Sequence, residues 1–157
     1  MKHILLFFLL LLMNTAAYAQ MGKTKAELLA LYGKEKVMKE SEGRPGYTGI
    51  LFRVDSSSFL QATFNADVAV MLSFIHTDMY LSEQQYSSYI NQNLPGFTPQ
   101  QSCILGNKTF LLNADNTVLV VQNHRQDSTD FPITGLIMVT DPAIIKSMAD
   151  KIEEYCQ

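Results

Sequence analysis

The chain has 157 residues, 47% of them apolar, and its 12 basic and 15 acidic residues leave a formal net charge of −3. That length suits one domain with a sizeable core. Charges this scattered, with an acidic excess, do not make the single-sign stripe that tracks a phosphate backbone, so nucleic acid is not an expected partner.

Lys2, the apolar run Ile4 to Met13 and the small-x-small string Ala17-Tyr18-Ala19 have the three parts of a secretory leader. The apolar run is well short of the ~20 residues a membrane span needs. Cleavage is expected after Ala19, which assigns residues 1–19 to the leader and 20–157 to a single α+β domain beginning at Gln20. No cysteine follows the cleavage site, so lipid attachment is not indicated. The expected location is outside the cytoplasm, in a periplasm or the medium, with no membrane span left after cleavage.

The first helix is expected over Lys25 to Tyr32, with Thr24 as N-cap, Glu27 as its capping-box partner and Gly33 as a left-handed C-cap. Leu28, Leu31 and Tyr32 would form its buried stripe. The charged stretch Lys34 to Gly46 reads as a solvated edge strand and loop, since both signs alternate through it. Pro45-Gly46 turns the chain into a strand over Tyr47 to Val54, and Asp55 to Ser58 turns it again.

Phe59 to His76 comes next as two strands joined at Asn65-Ala66-Asp67. Val68, Val70, Leu72 and Phe74 share one face at period 2, and Ala69, Met71 and Ile75 make the other face apolar too, which marks a central strand. The same tripeptide recurs at Asn113-Ala114-Asp115, which predicts two hairpins of one kind.

A second helix is expected over Glu83 to Asn93, capped by Ser82 and Gln85, with Leu81 stapled on Tyr86 and with Tyr86, Tyr89 and Ile90 facing inward. Pro95-Gly96 ends it, and Phe97 to Gln101 crosses to strands near Cys103–Leu105, Thr109–Leu112, Thr117–Asn123 and Ile133–Thr140. Asp141 and Pro142 open the last helix, where Ile144, Met148, Ile152 and Cys156 recur at four-residue spacing and Lys146, Asp150, Lys151, Glu153 and Glu154 form the outer face. The expected order is αβββα-βββ(β)-α, an antiparallel sheet with helices packed against it.

Met21-Gly22-Lys23-Thr24-Lys25-Ala26-Glu27-Leu28-Leu29-Ala30-Leu31-Tyr32-Gly33 resembles the opening of two groups of small exported α+β domains. These are the small lipoprotein subunit of the outer-membrane β-barrel assembly machinery and the β-lactamase-inhibitor-like proteins. The resemblance implies an antiparallel α+β fold and a binding role, and it transfers no functional residue. Lys34 stands where those families often place a proline, and the lipid-bearing cysteine is absent.

Few residues suggest chemistry. His76 with Asp78, and His124 with Arg125 and Asp127, end strands, but their spacing matches no established ligand pattern. Cys103 with His124 would need a partly exposed thiolate beside a cation to act as a nucleophile. Ser56-Ser57-Ser58 lacks the glycine setting of a nucleophile elbow, and Asn107-Lys108-Thr109 matches the short glycosylation pattern. No catalytic, cofactor or metal residue is therefore assigned. Cys103 and Cys156 are the only cysteines, and export into an oxidising compartment predicts a disulfide between them. The expected function is a non-enzymatic module binding another envelope or extracellular protein. The alternative is a carrier of a small apolar ligand held between the sheet and the Tyr86/Tyr89 helix.

Overall fold

The computed structural model describes residues 20–77, 81–124 and 134–155, with side chains described through Met148. Residues 1–19, for which a leader is expected, Asp78, residues 125–133 with Asp127 and Asp130, and Cys156 lie outside the described residues. The fold is α+β. Helix α1 (Lys25–Tyr32) and a short 3-10 turn (Lys34–Lys36) lead into β1 (Val37–Glu42), β2 (Tyr47–Arg53), β3 (Ser58–Asn65) and β4 (Val68–His76). Helix α2 (Glu83–Asn93) then leads into β5 (Gln101–Leu105), β6 (Lys108–Leu112), β7 (Leu119–Asn123) and β8 (Thr134–Val139), with α3 (Pro142–Tyr155) last. The charged segment after α1 supplies β1, the edge strand expected within Lys34 to Gly46, so four strands precede α2 although the expected order αβββα counted three.

All eight strands form one antiparallel sheet in the order β1-β2-β3-β4-β8-β7-β6-β5. Each half is a helix and then a four-strand meander, and the halves join through their last strands. Strand β4 is central, as its two apolar faces predict.

One face carries α1 and α2 over Ile50, Phe52, Leu60, Ala62, Phe64, Leu72, Phe74 and Met138, with Leu28, Tyr86 and Ile90 supplied by the helices. The other carries α3 over Leu112, Leu119, Val121 and Val139, with Ile145 buried against them and Cys103, Phe110, Ile144 and Met148 packed around it. The spacing of four in α3 identified Ile144 and Met148 and passed over Ile145, which lies between their rows. Ile152 and Cys156 of the same stripe have no described side chains.

The facing assigned to the start of β4 is corrected. The β3 register shifts between Thr63, opposite Met71, and Phe64, opposite Ala69. The extra residue, Val70, is a bulge that resets the alternation. Ala69 therefore joins Leu72 and Phe74 in the first core, while Val68 is left 38% exposed. The bulge carbonyl is used, accepting from Thr140 N at 2.9 Å.

Both capping boxes form. Glu27 N donates to Thr24 Oγ1 and Thr24 N to Glu27 Oε2, and Ser82 and Gln85 repeat the arrangement on α2. Leu81 and Tyr86 are buried in one cluster, as a staple requires. In α1, Leu31 is 43% exposed and Leu29 packs on the core in its place, because a helix of 8 residues presents only a narrow face. Gly33 has φ 88° and ψ 141°, a positive-φ conformation that suits glycine but is not the left-handed helical C-cap expected. Gly135 is needed for a different reason: a Cβ there would lie 2.8 Å from Phe74 O on the neighbouring strand β4.

Candidate functional site

Two features stand out, a cleft on the two-helix face and the edge strand β5, which ends the strand order among the described residues. The cleft, about 390 Å³, lies between the end of α1, the outer turns of α2 and the β3/β4 end of the sheet. Its aromatic part is Tyr32, Phe59, Phe74 and Tyr89, with the Phe74 and Tyr89 rings stacked at 5.0 Å. Its polar part includes Gln20, Asp55, Ser58, His76 and Asn93. Burial pushes the Tyr32 hydroxyl up to about 12 and raises that of Tyr89, so both remain protonated donors at neutral pH.

His76 closes β4 directly opposite Ser58, and Ser58 Oγ lies 3.0 Å from His76 Nδ1, both residues being buried. Asp55 does not complete a triad with them. Its Oδ1 accepts from Ser57 N at 2.9 Å and Ser58 N at 2.8 Å, holding the β2–β3 turn. These bonds, that from Ser57 N foremost, also keep its carboxyl below the ordinary value.

Gln20 is 7% exposed, and its backbone N donates to Asn93 Oδ1 at 2.9 Å across 73 residues of sequence. Asn93 Nδ2 in turn donates to Tyr89 O at 2.9 Å, which fixes the amide so that its oxygen faces Gln20. The Gln20 Nε2 group hydrogen-bonds the Tyr32 hydroxyl, while Oε1 is buried with no partner. Sequence reasoning singled out neither Gln20 nor Asn93 as a site residue. The only local signal was the position of Gln20 directly behind Ala19, since a contact between a chain start and a helix end has no periodicity.

The histidines are arranged separately. His124 Nε2 lies 3.0 Å from Thr109 Oγ1, and its ring meets Tyr86 edge-on at 5.5 Å. His76 instead lies against Tyr89, one turn farther along α2, at 6.1 Å. Among the described residues no group of three or more His, Cys, Asp or Glu side chains could hold a metal. Asp78, Arg125 and Asp127 lie outside them. Cys103 packs in the α3 cluster with Phe110, whereas His124 contacts Tyr86 on the opposite face. The sheet therefore separates the Cys103 sulfur from the imidazole that would activate it. Tyr86 is fully buried with its hydroxyl donating to Asn123 O at 2.9 Å, so Tyr89 and not Tyr86 lines the cleft. Asn107 Nδ2, the atom a glycan would occupy, donates to His124 O at 3.0 Å.

The two sheet edges differ. β1 carries Lys39, Glu40 and Glu42, has a register irregularity between Val37 and Lys39, and is tied to α1 by the Lys25–Glu40 ion pair at 2.7 Å. Charge and irregularity of this kind blunt an edge. β5, Gln-Ser-Cys-Ile-Leu, has no charge, and Ile104 is 75% exposed with Leu105 at 39%.

No helix among the described residues is long and apolar enough to cross a membrane. No family model matches the chain, and no curated protein does, so the likeness of residues 21–33 to the barrel-assembly lipoprotein and β-lactamase-inhibitor groups gains no support. Among solved structures the chain is similar to a cysteine-rich secretory protein from Staphylococcus aureus subsp. aureus Mu50. The identity is 16% and the TM-score 0.47, over 80% of this chain and 46% of that one. It is also similar to an extracellular protein containing an SCP domain from Bacillus anthracis str. Ames. There the identity is 12% and the TM-score 0.45, over 82% of this chain and 47% of the other. The chain thus spans just under half the length of each, and neither likeness transfers a role to it.

Proposed function

We propose that the protein is an exported, non-enzymatic binding module that receives an extended segment of another envelope or extracellular protein along β5. The observation that carries this reading is the contrast between the edges. β1 is charged and irregular, while β5 presents an uncharged strand with Ile104 75% exposed. An added strand would gain main-chain hydrogen bonds along β5 and apolar contact with Ile104 and Leu105. The uncharged edge favours a partner segment that is itself uncharged and β-branched.

The test places a photo-crosslinking residue at Ser102 and captures the partner in cells, with and without Ile104→Lys. Capture lost on Ile104→Lys, with the melting temperature unchanged, supports edge addition. The affinity of the captured partner should fall at least about tenfold, or ~1.4 kcal/mol. Equal capture in both chains would sink this reading.

The cleft favours a second reading. Its volume lies at the lower end of ordinary ligand sites, roughly 300–1,000 Å³. Its polar wall suits a small amphipathic molecule with a planar group on Tyr89 better than the wholly apolar ligand suggested by sequence. Native mass spectrometry of protein from its own host separates the two: a retained small adduct favours the carrier, and a co-purifying polypeptide favours the module.

A further inference from the structure

We infer that Gln20, once cleavage after Ala19 makes it the first residue, is carried in the folded protein as pyroglutamate. The inference rests on the export reading for the cleavage and on the cleft for the rest. Cyclisation is a balanced internal transfer. The free α-amine nitrogen attacks the side-chain Cδ, the N–Cδ bond forms and the Cδ–Nε2 bond breaks. Ammonia departs with a proton from the attacking nitrogen, and no oxidant, reductant or second substrate is consumed.

The folded environment fits the product better than either reactant group. Gln20 is 7% exposed with residues 1–19 attached, and a cleaved, uncyclised Gln20 would place an ammonium with three donors at that position. The acceptor held there is one neutral amide oxygen, Asn93 Oδ1, at 2.9 Å. Burying a charge without a charged partner is costly, whereas a neutral lactam has one N–H to give. The side-chain end makes the same demand. As an open amide, Gln20 has a buried oxygen with no partner and directs Nε2 at a tyrosine hydroxyl. Loss of Nε2 as ammonia leaves the oxygen as the polar atom of that end, and the protonated hydroxyl of neighbouring Tyr32 is a donor for it. One reaction therefore removes a charge that has only a neutral acceptor and brings the orphaned oxygen within the reach of a donor. Because the residue is enclosed by the fold, the ring closes before the amino-terminal stretch docks against α1 and α2.

The experiment uses the full chain, exported with its own leader, purified cold and digested for tandem mass spectrometry. The expected amino-terminal peptide starts at residue 20, is lighter by one ammonia than its sequence, and resists Edman degradation. A synthetic peptide with open glutamine, taken through the same work-up, must stay largely open. Pyroglutamyl aminopeptidase should then remove the residue from the isolated peptide at least tenfold faster than from the folded protein. A peptide starting elsewhere overturns both the cleavage reading and this inference. One starting at an open Gln20 overturns this inference alone, and equal removal from peptide and folded protein overturns its burial in the cleft.

Discussion

Asp141 shows how one side chain can join distant parts of a chain. It is 5% exposed, and its Oδ1 accepts from Ala143 N at 2.9 Å and Ile144 N at 3.1 Å, the N-cap contacts expected from Asp141-Pro142. It also accepts from Tyr47 Oη on β2 and from Asn65 Nδ2 at the end of β3, each at 3.0 Å, contacts that no local pattern announces. Burial pushes its carboxyl up, but hydrogen bonds from Asn65, Ile144 N, Tyr47 and Ala143 N together hold it below the ordinary value. A folded-state value below the unfolded one means the unfolded chain binds the proton first. The contribution is therefore present above about pH 3.9 and lost as pH falls through the folded value. Asp141→Ala removes a cap and strands two donors, and should lower stability by about 2 kcal/mol. Asp141→Asn should flatten the acid limb of the stability curve. Denaturant titrations from pH 7 to pH 2 measure both, and an unchanged acid limb in Asp141→Asn would count against this account.

At the scale of elements, the helices were the most legible part of the sequence, because capping boxes and Pro-Gly stops act within a few residues. Both α1 and α2 have the expected limits. Turn type was less legible, because it depends on the residue after the shared tripeptide. At Asn65-Ala66-Asp67 the next residue is Val68, and the strands close over two residues with φ 47° and 68°. That is the positive-φ pair of a tight hairpin whose twist matches the strands. At Asn113-Ala114-Asp115 the next residue is Asn116, which takes the positive φ itself, at 55°. Asn116 N donates to Asn113 O at 3.2 Å, and Asn113 Oδ1 accepts from Val118 N at 2.9 Å, so this loop is longer. The expectation of two hairpins of one kind is therefore corrected, and the difference is testable. Ala66 bears the steric cost of positive φ, so Ala66→Gly should stabilise by roughly 1 kcal/mol. Ala114 has no positive φ, and Ala114→Gly should be neutral or destabilising by up to ~1 kcal/mol. Shifts of the same sign in thermal melts of the two variants would argue that the turns are equivalent after all.

On the scale of the whole molecule, two helix-plus-meander halves meet at β4 and β8, and α3 lies across the joint. Strand content and the amphipathic helices were readable, but which strands become neighbours was not. The pairing of β4 with β8 joins segments about sixty residues apart, and the cleft depends on equally remote partners. This architecture gives the predicted Cys103–Cys156 disulfide a geometric setting, although Cys156 itself lies outside the described residues. The start of α3 is held beside β4, where Thr140 N donates to Val70 O, and the helix packs over residues of β8, β7 and β6. Its 14 residues rise about 21 Å. Crossing from β4 to β5 takes four inter-strand steps of ~4.8 Å, or about 19 Å. Cys103 lies at the middle of β5 on the face α3 covers, in the cluster that includes Ile144 and Met148. A bridge from there would clamp the far end of α3 onto the edge proposed to receive a partner. Closing a loop of about fifty residues is worth roughly 4 kcal/mol by chain entropy, an upper figure because strain and residual structure reduce it. Freshly exported protein should therefore show no titratable thiol when unfolded without reductant, and should melt lower after reduction. Cys156→Ser should match the reduced protein and weaken partner capture at β5, because the edge is then no longer pinned. Two titratable thiols per chain in unreduced material would refute the bridge.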